Sequence, residues 1–336
     1  MKHVFIVNPK SFPEQKRMDT VIDSIGTFFT TQESQNFSIQ VINYPRDAIG
    51  LIQEQVDKAE EGETVRVYAV GGDEILFDCL NGIVGLPNME LAVVPYGATN
   101  DFVRVFGEGK AELFRDIHAL VDASSIPTDI IDTGNNFAIN VCSVGLVSEV
   151  ILKMRRADKR PGGLRRLTLW DQIKTFFYYV ASVFGGGVLS QHYEVTVDDL
   201  HFSGNFGFIN VANGPFFGGN RIAVKKAMPN DGLLDVAIFK STNPLRFLIS
   251  IGIYAMGRMP SNLFLLQAKK ISLQSDDPIL IQLDGDFFQD TNITFEVVPG
   301  AVQVVSVNNL PYQAADYKAV QEAEAQAEAE AAQEES

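Results

Sequence analysis

The sequence predicts two consecutive folding units, an α/β unit with a mostly parallel sheet and then an antiparallel β-sandwich. In the first part, short β-rich runs alternate with stretches of helical periodicity, the pattern of a parallel sheet with helices on its faces. From about Pro127 onward, strand-like runs follow one another with turn residues between them, which is typical of a sandwich. We therefore place an α/β domain at residues 1–128, a β-sandwich domain at 129–312 and an acidic low-complexity tail at 313–336.

The individual elements follow from these patterns. In the first domain we expect strands at 4–7, 38–43, 65–70 and 91–94, and helices at 15–29, 47–60 and 74–83. In the second domain we expect strands at 130–131, 137–141, 193–197, 207–212, 233–239, 270–273, 279–283 and 294–298, and helices at 165–184 and 244–256. Short β-rich runs bounded by turn residues support the strands, and longer apolar periods support the helices.

Bulk composition excludes several classes of protein. The chain has 336 residues and is 46% hydrophobic, which suits a globular protein with a sizeable core. Its formal net charge of −15 argues against nucleic acid as a partner. Only two cysteines occur, Cys79 and Cys142, so we expect no disulfide framework and a reducing compartment. No apolar run reaches the length of a membrane span, and we expect a cytoplasmic protein.

Three glycine turns that carry aspartates follow predicted strands. They are Gly-Gly-Asp at 71–73, the loop at 95–101 and Asp-Gly-Asp at 284–286. Glycine lets backbone amides approach a phosphate closely, and carboxylates suit a hard divalent cation. Ligands of a parallel sheet bind beyond the carboxyl ends of its strands, where the first two turns lie. The first domain is therefore predicted to bind a nucleotide with its metal ion.

These turns resemble those of the diacylglycerol kinase catalytic family, which includes sphingosine kinases and soluble bacterial lipid kinases. The family's Asn-Pro is matched by Asn8-Pro9, its Gly-Gly-Asp-Gly-Thr partly by 71–75, and its Pro-x-Gly-Thr-x-Asn-Asp-Phe by 95–102. The resemblance covers roughly residues 1–310. Further matches in the family's order are Asp129, 137–140, Gly145, Asn213-Gly214, Gly218-Gly219, Asp231-Gly232-Leu233 and Asp284-Gly285.

The resemblance implies an ATP- and Mg²⁺-dependent kinase that phosphorylates a hydroxyl of diacylglycerol or a related lipid. Asp284 is then the general base, and Asp286 stands beside it where the family has glutamate. A second, structural Mg²⁺ would bind Asp231 and backbone carbonyls near Met228 and Leu233. Residues implied to bind the nucleotide, its cation and the linking water are Asn8, Gly71, Gly72, Asp73, Glu74, Gly97, Asn100, Asp101 and Asp129.

The same residues have structural interpretations that the sequence leaves open. Asp73 and Asp101 stand where they could cap helix starts. Asp284-Gly285 is a strong hairpin-turn dipeptide, and Asp231-Gly232 invites the same interpretation. Asp132 lies close to Asp129 in the sequence and could fill the same place in the motif, but the distance to 138–140 favours Asp129.

The resemblance weakens at the nucleotide site. Glu74 replaces the family's glycine, Ile75 replaces its threonine, and Ala98 replaces a second threonine. Glutamate adds negative charge beside phosphates, and each lost threonine removes a hydroxyl donor. Weaker ATP binding, a different nucleotide and lost catalysis all stay open. One alternative is therefore a catalytically impaired relative that binds lipid or nucleotide; another is an NAD kinase, whose family also carries Gly-Gly-Asp.

A basic segment followed by an aromatic-rich stretch indicates contact with a lipid surface. Cations in this position suit transient docking on an anionic membrane, although a solvated loop and a core helix explain the pattern equally well. We expect a peripheral membrane enzyme with a lipid alcohol as substrate, and a homodimer stays open. The cations are Lys153, Arg155, Arg156, Lys159, Arg160, Arg165 and Arg166, and the aromatic stretch is 167–184.

Overall fold

The computed structural model describes residues 1–31, 36–157, 169–185, 187–219 and 221–315. The first part alternates strands and helices as predicted. Its strands are β1 (Lys2–Val7), β2 (Asn36–Val41), β3 (Val65–Gly71) and β4 (Met89–Pro95), and its helices are α1 (Gln15–Thr31), α2 (Asp47–Val56), α3 (Asp73–Ile83) and α4 (Ile117–Asp122). Two short 3₁₀ segments, Phe102–Phe106 and Ala111–Arg115, lie between β4 and α4.

The four strands form a parallel sheet in the order β4-β3-β1-β2. All residues of β1 and β3 are buried, which explains why both read as continuous apolar runs rather than alternating ones. Val7 pairs with Val70, and Gly71 pairs with Pro95. Because the strands run in one direction, the loops that follow β1, β3 and β4 leave the sheet at the same edge.

The second part is mainly antiparallel. Its strands are β5 (Ser124–Asp132), β6 (Phe137–Ala138), β7 (Val141–Gly145), β8 (His192–Val197), β9 (Leu200–Ala212), β10 (Phe216–Phe217), β11 (Arg221–Ile222), β12 (Leu234–Lys240), β13 (Leu263–Ala268), β14 (Lys270–Leu283) and β15 (Asp286–Ser306). Its helices are α5 (Leu146–Ala157), α6 (Leu169–Gly185) and α7 (Pro244–Ala255). The α/β domain is thus followed by a β-sandwich-like domain, and the predicted fold class is confirmed.

Strands β14 and β15 connect the parts of the molecule. The first part of β14 pairs with β8, and its last three residues pair with β7 after a bulge between Gln274 and Ile279. Near its end β15 runs parallel to β4, where Gln303 pairs with Glu90. The C-terminal strand therefore returns to the first domain.

Several local predictions were wrong. The runs at 270–273 and 279–283 are a single strand, because a bulge bends the chain without ending its pairing. Helix α5 and strand β13 were not predicted; the many cations of α5 concealed an apolar face formed by Val147, Val150 and Met154. Residues 165–168 of one predicted helix, and 316–336 of the acidic tail, lie outside the described residues. Among the described helices, none is long and apolar enough to cross a membrane.

Candidate active site

The two glycine loops at the edge of the parallel sheet touch through their backbones. A Cβ atom on Gly97 would lie 2.2 Å from the Cα of Gly72, so no side chain fits there. The amide of Tyr96 donates to the carbonyl of Gly71 at 3.0 Å, and the amide of Asp73 donates to the carbonyl of Thr99 at 3.3 Å. Glycine at 72 and 97 is therefore required for loop-to-loop contact, whatever ligand binds there.

This contact brings Asp73 and Asp101 together. The carboxylate of Asp73 accepts the amide of Asp101 at 2.9 Å, and that of Asp101 accepts the amide of Gly219 at 2.9 Å. Asn100 holds its own loop, because its side chain accepts from the amide of Gly97 at 3.2 Å and donates to the Gly97 carbonyl at 2.7 Å. Asp73 begins α3, but its carboxylate binds the neighbouring loop, so simple helix capping does not describe its role.

Asp284 lies at the end of β14, in the turn that leads to β15. It is 8% exposed, and its backbone has a positive φ of 43°. Its carboxylate accepts three amides from one segment, those of Ile139 at 2.6 Å, Asn140 at 3.1 Å and Val141 at 2.8 Å. The hairpin-turn interpretation is thus correct for the backbone, yet it leaves the anchored carboxylate unexplained.

The three carboxylates of Asp73, Asp101 and Asp284, here called the acidic cluster, lie close enough for the charge of Asp101 to raise the pKa of both others. Asp73 as a residue is only partly buried, but its carboxylate is desolvated, and this raises its pKa to about 8, with the charge of Asp101 as the next cause. Burial raises the pKa of Asp284 to about 6, against the opposing effect of its three amide donors; the Asp101 charge adds to the increase. A carboxylate with a pKa near 6 can accept a proton close to neutral pH.

The acidic cluster fits a divalent cation in its chemistry. Carboxylate oxygens are hard ligands, and a bound cation would relieve the mutual repulsion that raises the pKa of Asp73. No group of three or more His, Cys, Asp or Glu side chains in the described ranges is arranged to hold a metal ion by itself. A cation here would be held by one or two carboxylates, with water molecules as its remaining ligands. Mg²⁺ favours this kind of coordination.

A cleft opens between the loop after β1, the start of α3 and residues Gly285 and Asp286. Its walls include Asn8 and Lys10 from the loop after β1, Arg46 before α2, Glu74 at the start of α3, and Asp286. The side chain of Asn8 accepts the amide of Lys10 at 3.0 Å, which shapes the turn that forms one wall. Of the residues predicted to bind the nucleotide, Asn8 and Glu74 line this cleft, whereas the glycines of the two touching loops are not among its lining residues.

Asp129 was predicted to share the cation and water of Asp73, but its hydrogen bonds lie elsewhere. Its carboxylate accepts the amides of Gly232 at 2.7 Å and Gly300 at 2.8 Å. Its charge also helps raise the pKa of Asp231, for which burial is the main cause. Asp129 therefore stabilises the loop of the predicted second metal site through its hydrogen bond with the Gly232 amide. Its binding of the cation and water beside Asp73 stays a prediction.

The predicted second metal site is a turn at 228–233. The carboxylate of Asp231 accepts the amide of Leu233 at 3.0 Å, and Met228 packs against the core of the first domain. This is the short turn that the Asp-Gly dipeptide favours. The structure places Asp231, Met228 and Leu233 in one turn, and their binding of Mg²⁺ stays a prediction.

Comparison with known proteins assigns this arrangement to a family. Residues 2–133 match the diacylglycerol kinase catalytic domain, and residues 176–306 match the YegS C-terminal NAD kinase beta sandwich-like domain. Residues 2–133 are thus a diacylglycerol kinase catalytic domain, and residues 176–306 are a YegS-type β-sandwich-like domain. A Staphylococcus aureus (strain JH9) protein named "Putative lipid kinase" is 25% identical over 308 residues, covering 89% of this chain and 96% of that protein.

Solved structures from Bacillus anthracis share the fold. One, titled "Crystal structure of a putative diacylglycerol kinase", has a TM-score of 0.69 at 22% identity and covers 92% of this chain and 98% of that chain. A second, titled "The crystal structure of a diacylglycerol kinases", has a TM-score of 0.63 at 19% identity and covers the same shares of the two chains. At these identities the likeness supports the fold.

The structure explains how the family's glycine could be replaced by Glu74. The Glu74 carboxylate forms an ion pair with Arg155 of α5, and Arg155 also donates to the carbonyl of Gly285. On the same side, Arg46 pairs with Asp286 and lies 4.7 Å over the ring of Phe77. Each acidic departure from the family pattern therefore has a cationic partner at the cleft.

Sequence reasoning did not assign Arg46 and Arg155 to this site. Arg155 was grouped with cations expected to face a lipid surface, and Lys153 of that group instead contacts Glu149 at 3.1 Å and the Ser182 hydroxyl at 2.7 Å. Lys159 to Arg166 lie outside the described residues. The signal for Arg155 was the unexpected Glu74, because a carboxylate beside phosphates requires a compensating cation nearby.

Proposed function

We propose that this protein is an ATP- and Mg²⁺-dependent lipid kinase that phosphorylates the hydroxyl of diacylglycerol or a related lipid. The observation that carries the proposal is the anchored carboxylate of Asp284, which lies in one acidic cluster with Asp73 and Asp101 beside two touching glycine loops. The match to the catalytic domain supports a kinase, and the name of the Staphylococcus aureus relative supports a lipid substrate.

The residues take distinct parts in the transfer. Asp284 accepts the proton of the lipid hydroxyl while that oxygen bonds to the γ-phosphorus of ATP and the bond from phosphorus to the β-phosphate oxygen breaks, so that ADP leaves. Backbone amides of the turns at 71–73 and 97–99 would hold the phosphates. Asp73 and Asp101 would hold Mg²⁺, which offsets the phosphate charge when it is bound.

Exposed apolar side chains on two packed helices support contact with a membrane. On α6, Phe176 and Phe177 are 60% and 63% exposed, and on α7, Leu245 and Ile249 are 64% and 54% exposed. Such a concentration of large apolar groups is unusual on a surface that meets only water. We propose a cytoplasmic enzyme that visits an anionic membrane surface to reach its lipid.

The test is transfer of labelled phosphate from ATP into the organic phase, with micelles that carry a panel of lipid alcohols. Wild-type protein should label one class of lipid when Mg²⁺ is present. Asp284→Asn should lose more than about a hundredfold in turnover, the usual contribution of a general base. Asparagine tolerates the positive φ at this position and keeps one acceptor oxygen, but its NH2 group would face a backbone amide, so circular dichroism must show that the variant is folded before its turnover is compared.

Asp235→Asn is the matched control. Asp235 is also buried, at 5% exposed, and burial raises its pKa to about 6, but strands β9 and β7 lie between its strand, β12, and β14. It should keep wild-type turnover. An Asp284→Asn protein that is folded and fully active would exclude the role of general base, and no label in any lipid would reject the proposed activity.

Glu74 favours a second candidate, a relative that binds lipid or nucleotide without catalysis. Its carboxylate stands at the cleft where the family has glycine, and it is 55% exposed. The ion pair with Arg155 offsets this charge and makes the kinase the better-supported proposal. ATP binding without phosphate transfer to any lipid alcohol would favour the second candidate.

A further inference from the structure

Asn140 lies in the segment that binds the carboxylate of Asp284, and its side chain reaches a second element. Its backbone amide donates to Asp284 at 3.1 Å, while its Nδ2 donates to the carbonyl of Phe216 at 2.7 Å. Its own carbonyl accepts the amides of Asn213 at 2.8 Å and Gly214 at 3.0 Å. Asn140 is buried, which strengthens these bonds because little water competes for them. One residue thus joins the segment that binds Asp284 to the segment that contains Phe216.

Phe216 begins a short hairpin that reaches Asp101. Strands β10 and β11 pair through Phe216 and Ile222, and two glycines with positive φ, Gly218 at 58° and Gly219 at 77°, follow β10. The amide of Gly219 donates to both carboxylate oxygens of Asp101, at 2.9 Å and 3.1 Å. We call β10, β11 and these two glycines the bridging hairpin. Its two ends contact the partners of two different carboxylates of the acidic cluster.

The first domain also holds the bridging hairpin through the ring of Phe216. The guanidinium of Arg104 lies 4.4 Å over this ring, which is 2% exposed. Arg104 belongs to the 3₁₀ segment that directly follows Asp101, and Glu108 holds its guanidinium in an ion pair. A shift of Phe216 would therefore disturb the same part of the first domain that carries Asp101.

A continuous path of hydrogen bonds links the three members of the acidic cluster. It runs from Asp284 through Asn140 and the bridging hairpin to Asp101, whose amide donates to the carboxylate of Asp73 at 2.9 Å. The other hydrogen bonds of this path are made by backbone amides and by the aspartates themselves. The side chain of Asn140 is therefore the link in this path that a substitution can break without altering a carboxylate.

We propose that Asn140 is a positioning residue that holds Asp284, the proposed general base, at a fixed position relative to Asp101. For its effect on turnover this inference rests on the proposed kinase function. Phosphoryl transfer requires the attacking oxygen, the phosphorus and the cation to keep a fixed relative geometry. Asp284 from the second domain acts on the attacking oxygen, and Asp101 from the first domain acts on the cation. The side chain of Asn140 maintains the interval between these two carboxylates.

The packing around Asn140 confines its amide to one position. A Cβ on Gly214 would lie 2.3 Å from the Oδ1 of Asn140 and 3.3 Å from the Cγ1 of Val105. This Oδ1 has no hydrogen-bond partner within the part of the chain that the structure describes. Because a buried acceptor without a partner lowers stability, stability alone does not account for an amide at this place. Gly214 also offers a second way to displace the same amide.

The first experiment measures kcat and KM separately for phosphate transfer from ATP to the lipid that the wild type labels, using the full chain. Asn140→Ala removes the hydrogen bond to the Phe216 carbonyl and should lower kcat by at least about tenfold, since a displacement of about 1 Å between reacting groups can cost about a hundredfold. KM for ATP should stay within about threefold, because the loss falls on the geometry of the reacting groups.

Asn262→Ala is the matched control. Asn262 is also buried, its Nδ2 donates to the carbonyl of Lys240 at 2.9 Å, and its Oδ1 has no partner among the described residues. It precedes β13 at the far edge of the sheet. This variant should lose stability as Asn140→Ala does and keep the wild-type kcat. A wild-type kcat in an active Asn140→Ala protein would overturn the inference.

A double-mutant cycle shows whether the two substitutions act on one contact. Gly214→Ala should also lower kcat, because its Cβ would displace the amide of Asn140. In the double variant Asn140→Ala/Gly214→Ala that clash is gone, so its kcat should be no lower than that of Asn140→Ala. Losses that multiply in the double variant would contradict the proposed role of the Asn140 amide.

Hydrogen exchange separates failure of this inference from failure of the proposed function. Selective labelling with ¹⁵N-glycine follows the amide of Gly219 by NMR, and Asp101→Asn, which changes its acceptor, assigns the signal. In Asn140→Ala this amide should exchange at least about tenfold faster than in the wild type, and in Asn262→Ala it should exchange at the wild-type rate. Faster exchange supports the link between Asn140 and Asp101 even if no lipid is phosphorylated. Unchanged exchange in Asn140→Ala overturns it, even if the wild type is an active kinase.

Discussion

Asp284 and Asp129 are both buried carboxylates that accept backbone amides from distant parts of the chain, but their surroundings differ. The amides that bind Asp284 come from one segment, 139–141; the charge of Asp101 raises the pKa of Asp284, and the charge of Asp284 raises the pKa of Asp73. Asp129 joins two separate segments through Gly232 and Gly300. Hydrogen bonds alone therefore do not distinguish the two residues; Asp284 lies in a cluster with two other carboxylates, whereas Asp129 acts on the single carboxylate of Asp231.

The largest expected effect comes from separating the loops that create the acidic cluster. Gly97→Ala would force a Cβ to within 2.2 Å of the Gly72 backbone, which cannot move as a side chain would. We expect a loss of about 1–3 kcal/mol in the free energy of unfolding, together with loss of ATP binding. Urea unfolding and calorimetry measure these two effects.

Gly50→Ala is the control, because Gly50 lies within α2 and a Cβ there would meet nothing within 4 Å. Alanine should stabilise this helix by about 0.5–1 kcal/mol. If Gly97→Ala behaved like Gly50→Ala, the contact between the loops would not be what places Asp73 beside Asp101.

Removing the Asp129 carboxylate should lower the stability of the protein and leave the acidic cluster largely unchanged. Asp129→Ala leaves the amides of Gly232 and Gly300 without acceptors, and water can reach Gly300 because this residue is exposed. We expect a loss of about 1–3 kcal/mol. Asp129→Asn, which keeps one acceptor oxygen, should lose less. If the Asp129→Ala protein is as stable as the wild type but no longer binds Mg²⁺, Asp129 contributes to cation binding at Asp73, as the sequence predicted.

Stability should depend on pH through Asp73. Its pKa is about 8 in the folded protein, against about 3.9 in an unfolded chain. Between these values the folded state binds more protons, so the free energy of unfolding should fall as pH rises from about 4 to 8. The slope from one proton is at most about 1.4 kcal/mol per pH unit.

Urea unfolding in chelator across this pH range tests the expectation. Asp73→Asn removes the charge and keeps an oxygen that can accept the Asp101 amide, so its slope should be smaller. Saturating Mg²⁺ should reduce the wild-type slope in the same way. Equal slopes for wild type and Asp73→Asn in chelator would show that Asp73 does not titrate in this range.

The smallest effect is expected at Glu74. Its pair with Arg155 is exposed, 55% and 44% for the two side chains, and such pairs contribute about 0–1 kcal/mol. Glu74→Gln should change the dissociation constant for ATP by less than about tenfold, because Arg155 already offsets the charge. Arg155→Gln should weaken ATP binding more, since it leaves Glu74 unpaired. The reverse order would favour the non-catalytic candidate.

Much of this protein could be predicted from its sequence. The alternating pattern of the first part predicted the parallel sheet, and β1, β3 and β4 were placed within two residues because buried parallel strands are continuous apolar runs. The motifs identified Asp73, Asp101 and Asp284 as candidate residues of one site. Helix α5 was not predicted because its cations hide its apolar face in the sequence, and β14 was predicted as two strands because a bulge interrupts its pattern.

The sequence by itself determined the fold class, the order of the elements and the types of side chain at the candidate site. These follow from local periodicity and from turn chemistry, which depend on residues close together in the chain. The tertiary structure decided which carboxylates share a charged environment, which cations offset Glu74 and Asp286, and that Asn140 links Asp284 to the hairpin that binds Asp101. Strand pairing and loop contact create these relations between residues up to 240 positions apart, as with Arg46 and Asp286.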